Sequence, residues 1–249
     1  MAPSFRLRLK DHEVLLGTIV SLASPEVAEV LSAAGFDWLF IDAEHSPLDA
    51  LAIQRIVQGA GSTPCLVRLA RGDEVSIKKA LDVGAAGIIG PMVNTAEAAA
   101  HVVQWAKYAP LGTRGVGVGR AHGYGFVFQD YVSRANAETV VVVQAEHIEA
   151  VNNMEAIVQV PGVDAVLVGP YDLSASLGRL GEVAHPDVVA AIERVTQTCR
   201  AANLPLGIFG MTADAVRPYI EQGFTLITIG IDTVLLGTAA RQMLAQIKR

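Results

Sequence analysis

Short apolar runs recur along this chain, each followed by a longer segment in which apolar residues return every three or four positions. The runs at 14–21, 38–41, 64–69, 87–91, 140–145, 165–168, 206–209 and 225–229 are rich in Val, Ile and Leu, the pattern of strands buried on both faces. Between them, 24–34, 48–60, 73–83, 95–106, 149–158, 186–202, 212–222 and 232–247 carry helical spacing, and a short helix over 3–10 precedes the first strand. Punctuation supports the reading. Ser24-Pro25-Glu26 supplies an N-cap, a proline at the first helical position and an early acid, Asp73 caps the third long helix, and Gly84 closes it. Parallel strands need crossover connections, and eight such units close naturally into a (β/α)8 TIM barrel, read here as one domain over residues 1–249. An open doubly wound sheet is the alternative for the same units.

In a barrel, chemistry belongs where strands end and loops begin. The stretch FDWLFIDAEHSPLD at 36–49 shows this most sharply, because a buried strand there runs into Asp42, Glu44 and His45. Three titratable side chains at the end of such a strand are costly unless paired or used. The third strand ends in Arg68, the fifth in Gln144 and Glu146, and the sixth in Gly169, Pro170, Tyr171 and Asp172. The last two strands end in nearly apolar sequence.

Glu146 and Asp172 follow consecutive strands, within reach of one shared divalent cation. Oxygen-only ligation suits Mg2+, Mn2+ or Co2+, with water and substrate completing the shell. The structural alternatives are a first-turn acid for Glu146 and a turn cap for Asp172, and Glu149 is a fallback ligand. Arg68 stays charged when buried, so it requires an anion: Glu44, Glu146 or the negative charge developing on a substrate. His45 and Asp42 form a candidate acid–base dyad, the carboxylate holding one imidazole nitrogen. His12, His101, His147 and His185 read as surface residues, whereas His122 lies in a glycine-rich loop that can touch substrate.

That loop belongs to the segment 107–139, which breaks the rhythm. It contains GTRGVGVGR at 112–120 but lacks both the ending of a P-loop and a strand-to-helix setting, so a phosphate cradle is a weak reading. We expect it to fold over the barrel mouth, with Arg114 bracing it and Arg120 beside a carboxylated substrate.

Composition narrows the partners. The net charge of −6, without a basic cluster, gives nucleic acid no surface, and small molecules are the expected partners. The two cysteines, Cys65 and Cys199, do not form a disulfide framework and suit a reducing cytoplasm. The N-terminal MAPSFRLRLKDHE alternates charged and apolar residues unlike a signal peptide, and no run approaches the roughly 18 apolar residues of a membrane span. The positive mean hydropathy of +0.39 therefore reports a buried sheet and Ala-rich helices.

With these residues assembled, the chain resembles the HpcH/HpaI class II pyruvate aldolases, which include 4-hydroxy-2-oxoheptanedioate aldolase. The carriers are AGFDWLFIDAEHSPLD at 34–49, VRLARGDEVSIKKALDVGAAGIIGPMVNTAEAA at 67–99, YAPLGTRGVG at 108–117, VQAE at 143–146, GVDAVLVGPYDLSASLG at 162–178 and the closing GIDTVLLGTAAR. The resemblance implies a metal-dependent lyase that cleaves 4-hydroxy-2-keto acids to pyruvate and an aldehyde. It assigns one divalent ion per subunit to Glu146 and Asp172, acid–base work to His45 with Asp42, and stabilisation of the developing enolate to Arg68. Gln144 and the backbone from Gly169 through Pro170 and Tyr171 would orient the keto-acid carboxylate. It also implies a trimer-based homo-hexamer whose last helix packs on a neighbouring subunit. The family usually has QIE where this chain has Gln144-Ala145-Glu146, often a smaller residue at Tyr171, and commonly a Trp where Thr18-Ile19-Val20 stands here. Those departures bear on the aldehyde, not on the metal chemistry. Two rivals are a carbon–carbon lyase acting on a CoA ester and a non-catalytic keto-acid-binding barrel. No lysine stands at a strand end, which argues against a Schiff-base aldolase.

Overall fold

The computed structural model describes residues 3–247. Strands β1 (Leu15–Val20), β2 (Trp38–Asp42), β3 (Cys65–Arg68), β4 (Gly87–Gly90), β5 (Val140–Ala145), β6 (Ala165–Val168), β7 (Leu206–Gly210) and β8 (Leu226–Ile231) pair in parallel in chain order. β8 returns to β1, so the sheet is a closed barrel and the open-sheet alternative is excluded.

After α1 (Phe5–Lys10), the helices α2 (Pro25–Ala33), α3 (Ala50–Gly59), α4 (Glu74–Asp82) and α5 (Ala96–Ala106) follow the first four strands. α6 (Phe128–Glu138) ends the long connection, α7 (Ile148–Asn152) and α8 (Met154–Ile157) follow β5, and α9 (Pro170–Ser176) and α10 (Pro186–Ala201) follow β6. α11 (Ala213–Glu221) and α12 (Asp232–Ile247) complete the ring. Local chemistry explains where these helices begin. Ser24, Asp49, Asp73, Thr95 and Thr212 each accept the backbone N–H three residues on, satisfying a donor that the first turn leaves unpaired.

Alternation along each strand sorts the core into two shells. Leu15, Trp38, Phe40, Leu66, Val142 and Leu167 belong to the cluster inside the barrel, while their strand neighbours Val20, Leu39, Ile41, Val67, Val143 and Val168 pack outward against the helices. Gly17 makes room for the largest interior side chain, since a Cβ there would lie 2.5 Å from the Trp38 ring. Truncating Trp38 to Ala would cost about 3–5 kcal/mol. α1 closes the end where strands begin. Phe5 and Leu9 join the interior cluster, and Arg6 Nε donates to Asp164 Oδ1 at 2.8 Å.

The segment 107–139 departs from expectation. Its residues lie against the C-terminal ends of α4 and α5, below the barrel and not over its mouth. Arg114 does brace it: Nη2 donates to Asp82 Oδ1 at 2.6 Å, and the guanidinium stacks 4.6 Å from the Tyr108 ring centroid. His122 is fully buried there, its Nε2 3.1 Å from the Tyr108 hydroxyl, so it cannot touch a substrate at the mouth. Lys107 is buried too, donating to the carbonyls of Asn136 at 3.1 Å and Thr139 at 2.5 Å.

In α12 Asp232 is the buried residue among those described, and its carboxylate accepts the backbone N–H groups of Ser21 and Leu22 at 2.9 Å each. The remainder of the helix presents Leu236, Met243, Leu244 and Ile247 to the outside. Cys65 and Cys199 are buried free thiols. Among the described residues no helix is long and apolar enough to cross a membrane.

Candidate active site

The inward-facing set that fills the barrel with Trp38 and Phe40 continues upward into Asp42 on β2, Arg68 on β3 and Gln144 on β5. Alternation thus turns a hydrophobic interior into a polar rim at the strands' C-terminal ends. A cavity of about 240 Å³ opens there, with Asp42, Arg68, Gln144 and Asp172 on one side and Ile19, Phe209 and Ile231 on the other.

β2 and β3 hold Asp42 and Arg68 in direct register. Arg68 Nε donates to Asp42 Oδ1 at 2.9 Å and Nη2 to Oδ2 at 2.8 Å, a bidentate pair, while its Cζ lies 5.3 Å over the Phe40 ring. Asp42 Oδ1 also accepts the backbone N–H groups of Glu44 at 3.1 Å and His45 at 3.2 Å. Burial pushes the Asp42 carboxyl up, but the Arg68 hydrogen bonds and charge, with the two backbone donors, hold it below the usual carboxylate range. Asp42 was not among the partners anticipated for Arg68.

This pairing corrects the expected dyad. Both Asp42 oxygens serve Arg68 and the backbone, and the carboxylate makes no hydrogen bond to the His45 ring. The imidazole is 62% exposed at the cavity edge, with Nε2 3.7 Å from Glu44 Oε2. Glu44 Oε2 stands 3.3 Å from Arg68 Nε without accepting a hydrogen bond. Burial raises the Glu44 carboxyl despite Arg68 and His45 nearby, and the charges of Asp42 and Asp172 add to that.

Glu146 follows β5 and is buried. Its Oε1 accepts the Met92 N–H at 2.6 Å, and its Oε2 accepts Gln144 Nε2. Burial, with the charges of Glu44 and Asp172, outweighs the Met92 hydrogen bond and Arg68 and pushes its carboxyl up to about 7. Gly169 flanks it so closely that an added Cβ would lie 3.0 Å from Glu146 Cβ and 3.3 Å from Oε2. Asp172 sits in the first turn of α9, exposed to the cavity, with Pro170 buried and the Tyr171 side chain exposed beside it. Glu149 faces away toward Asn94 Nδ2, at 3.5 Å.

The donor set fits a hard dication. Asp42, Glu44, Glu146 and Asp172 gather near one guanidinium, an excess of negative charge at a partly buried place, and apart from the His45 imidazole at the cavity edge the possible ligand atoms there are oxygens. Among the described residues no group of three or more His, Cys, Asp or Glu side chains is placed to hold a metal ion.

Arg120 is nowhere near this site. Its Nη1 donates to the Val83 carbonyl at 3.1 Å, beneath the barrel, so the expected contact with a substrate carboxylate at the mouth is corrected. Two features escaped the sequence reading. Met92, held at φ 51°, turns its N–H toward Glu146 from an unremarkable Pro91-Met92 strand end. The apolar wall of Ile19, Phe209 and Ile231 was legible only as the period-2 inward set of three strands.

The HpcH/HpaI aldolase/citrate lyase family model matches residues 16–239. A 2-dehydro-3,6-dideoxy-6-sulfogluconate aldolase of Pseudomonas putida is 40% identical over 96% of this chain and 95% of its own length. A hydroxypyruvate/pyruvate aldolase of Cupriavidus necator is 38% identical over 98% of this chain and 92% of its own length. A crystal structure of an HpcH/HpaI aldolase/citrate lyase family protein from Burkholderia cenocepacia superposes with a TM-score of 0.94 at 38% identity, covering 98% of both chains.

Proposed function

Because this chain belongs to the HpcH/HpaI aldolase/citrate lyase family, we propose that it is a divalent-metal-dependent aldolase. It reversibly cleaves 4-hydroxy-2-keto acids to pyruvate, or a close 2-keto acid, and an aldehyde. The observation that carries the reading is the charge imbalance at the mouth, four carboxylates around Arg68, with Glu146 pushed up to about 7 by burial and its acidic neighbours.

Glu146 and Asp172 hold the ion, Mg2+, Mn2+ or Co2+. When bound, it supplies Lewis-acid polarisation of the keto-acid carbonyl. Gln144 and the Met92 N–H fix the Glu146 carboxylate, as outer hydrogen bonds fix metal-binding side chains generally. Gly169, Pro170 and Tyr171 form the turn against which the keto-acid carboxylate rests, Gly169 leaving the space a side chain would take from Glu146. His45, exposed at the cavity edge with Glu44 beside its ring, takes the proton from the 4-hydroxyl as the C3–C4 bond breaks. Arg68, held by Asp42 and free of any protonation change, faces the negative charge that develops on the keto oxygen. The enolate left by the cleavage takes a proton from solvent at C3 to become pyruvate; in the reverse direction that C3 proton is lost first and His45 returns its proton to the new hydroxyl.

Arg68 is the single Lys or Arg on the cavity wall among the described residues, which leaves the phosphates of a CoA ester without a partner and favours a free keto acid. We further assign the exposed apolar face of α12 to a neighbouring subunit in a homo-hexamer working in the cytoplasm, to be checked by light scattering on the purified protein. The activity test is direct. Chelation with EDTA should abolish pyruvate release from a 4-hydroxy-2-keto acid, and Mn2+ or Co2+ should restore it in the native chain but not in Glu146→Gln or Asp172→Asn. Full turnover in chelated enzyme refutes the metal assignment. Turnover unchanged in His45→Ala points instead to a role without catalysis by this residue.

A further inference from the structure

The end of the barrel opposite the mouth holds a second, larger cavity of about 320 Å³. Its walls come from the start of β3 and β4, from α1, from α6 and from the glycine-rich connection. Arg120 enters it over Gly84, whose φ of +99° and missing side chain both matter: a Cβ there would lie 2.3 Å from Arg120 Nη1. Of the five N–H donors of that guanidinium, Nη1 is used on the Val83 carbonyl, at 3.1 Å. Among the described residues no carboxylate lies within ion-pairing distance of Arg120. Glu138, the carboxylate on the cavity wall, is engaged by Arg134 at 2.9 Å. On the same wall, the hydroxyls of Ser62 and Thr63 donate to no described residue, while Phe5, Val57 and Ala135 make the remainder apolar.

A permanently charged fork with spare donors, two free hydroxyls and an apolar floor describe an oxyanion site for an organic molecule. We infer that this cavity binds a small organic monocarboxylate: the carboxylate on Arg120, Ser62 and Thr63, the apolar body against Phe5, Val57 and Ala135. One guanidinium matches one planar carboxylate bidentately, whereas a phosphate dianion would call for a second cation that the wall lacks. The volume falls in the range of small-molecule pockets and leaves room for an organic body behind the carboxylate. The site shares no residue with the mouth and stands independently of the aldolase reading.

Benzoate is the probe, with acetate and inorganic phosphate as comparisons, titrated calorimetrically into metal-loaded protein and again in the presence of EDTA. Saturable benzoate binding is expected in both, tighter than acetate or phosphate. Arg120→Leu should weaken it about tenfold or more, as loss of a charge-assisted hydrogen bond does, with pyruvate release unchanged. Ser62→Ala and Thr63→Val, which keep the Arg120–Val83 contact, should each weaken it severalfold and serve if Arg120→Leu fails to fold. The inference is overturned if benzoate does not saturate, if chelation removes its binding, if phosphate binds more tightly, or if the Ser62 and Thr63 variants bind like the native chain.

Discussion

The Asp42–Arg68 pair invites a perturbation that separates scaffold from chemistry. Both groups are almost buried, at 5% and 9% exposure, and each oxygen of Asp42 takes a hydrogen bond from Arg68. Arg68→Leu leaves a buried carboxylate with two backbone donors, and breaking a buried pair from one side costs about 3–5 kcal/mol. In a chain of this size, each kcal/mol moves the melting temperature by about 2–4 °C, so a fall of about 6–20 °C is expected in calorimetry. Removing the second charge as well, in Arg68→Leu with Asp42→Leu, eliminates the orphaned carboxylate and should recover at least half of that loss, because an apolar pair of similar volume needs no desolvation. Activity should not recover. If Arg68 faces charge developing on the keto oxygen, its loss lowers kcat/KM for pyruvate release by about 10²–10³-fold in both variants. Return of turnover together with stability in the double variant would make the guanidinium a structural partner of Asp42 and refute its catalytic assignment.

Gln144→Leu removes the donor to Glu146 Oε2 without touching either proposed ligand; Mn2+ affinity measured calorimetrically should drop about 10–100-fold, and unchanged affinity would detach Gln144 from the site. Met92→Gly relieves a left-handed backbone while keeping the N–H that reaches Glu146, so stability should rise by up to about 1 kcal/mol with activity retained, whereas Met92→Val should lose stability; equal melting of the two would deny the strain. Burial lowers the Lys107 amine from 10.5 to about 8. The folded chain therefore binds fewer protons than the unfolded chain between those values, and this residue's contribution to stability rises with pH from about 8 to 10.5; below 8 the cost of burying the cation is fully present. Urea unfolding at pH 7 and 10 should show that rise in the native chain and a smaller one in Lys107→Met, and parallel pH profiles would refute it.

Much of this molecule could be read from spacing alone, and the reason is local. Val, Ile and Leu runs joined by capped helices leave few ways to bury both faces of eight strands, so the closed barrel follows from period and punctuation. The same period puts Asp42, Arg68 and Gln144 on the inward face, and their position at strand ends made them visible as candidates. Which partner each chose was not legible. The bidentate geometry and the direct register of β2 with β3 favour Asp42 for Arg68, and that decision is made across strands 26 residues apart in the chain. His45 lost its expected partner for the same reason.

The fate of the 107–139 segment shows where such reading stops. Glycine-rich composition announces a loop but does not say which end of the barrel it serves. Here the destination is set by contacts with no local signature, Arg114 on Asp82 and Arg120 on the Val83 carbonyl over Gly84, while His122 against Tyr108 and Lys107 on the carbonyls that end α6 fold the segment on itself. Asp82 and Val83 stand at the C-terminal end of α4, beside the start of β4, so the two arginine contacts draw the segment beneath the barrel. Arg120 is then withheld from the mouth and left with unspent donors beside a cavity. The mouth keeps Arg68 as its one wall cation, already shared with Asp42 and Glu44, so a second carboxylate at the far end of an aldehyde would find no arginine of this chain on the described cavity wall.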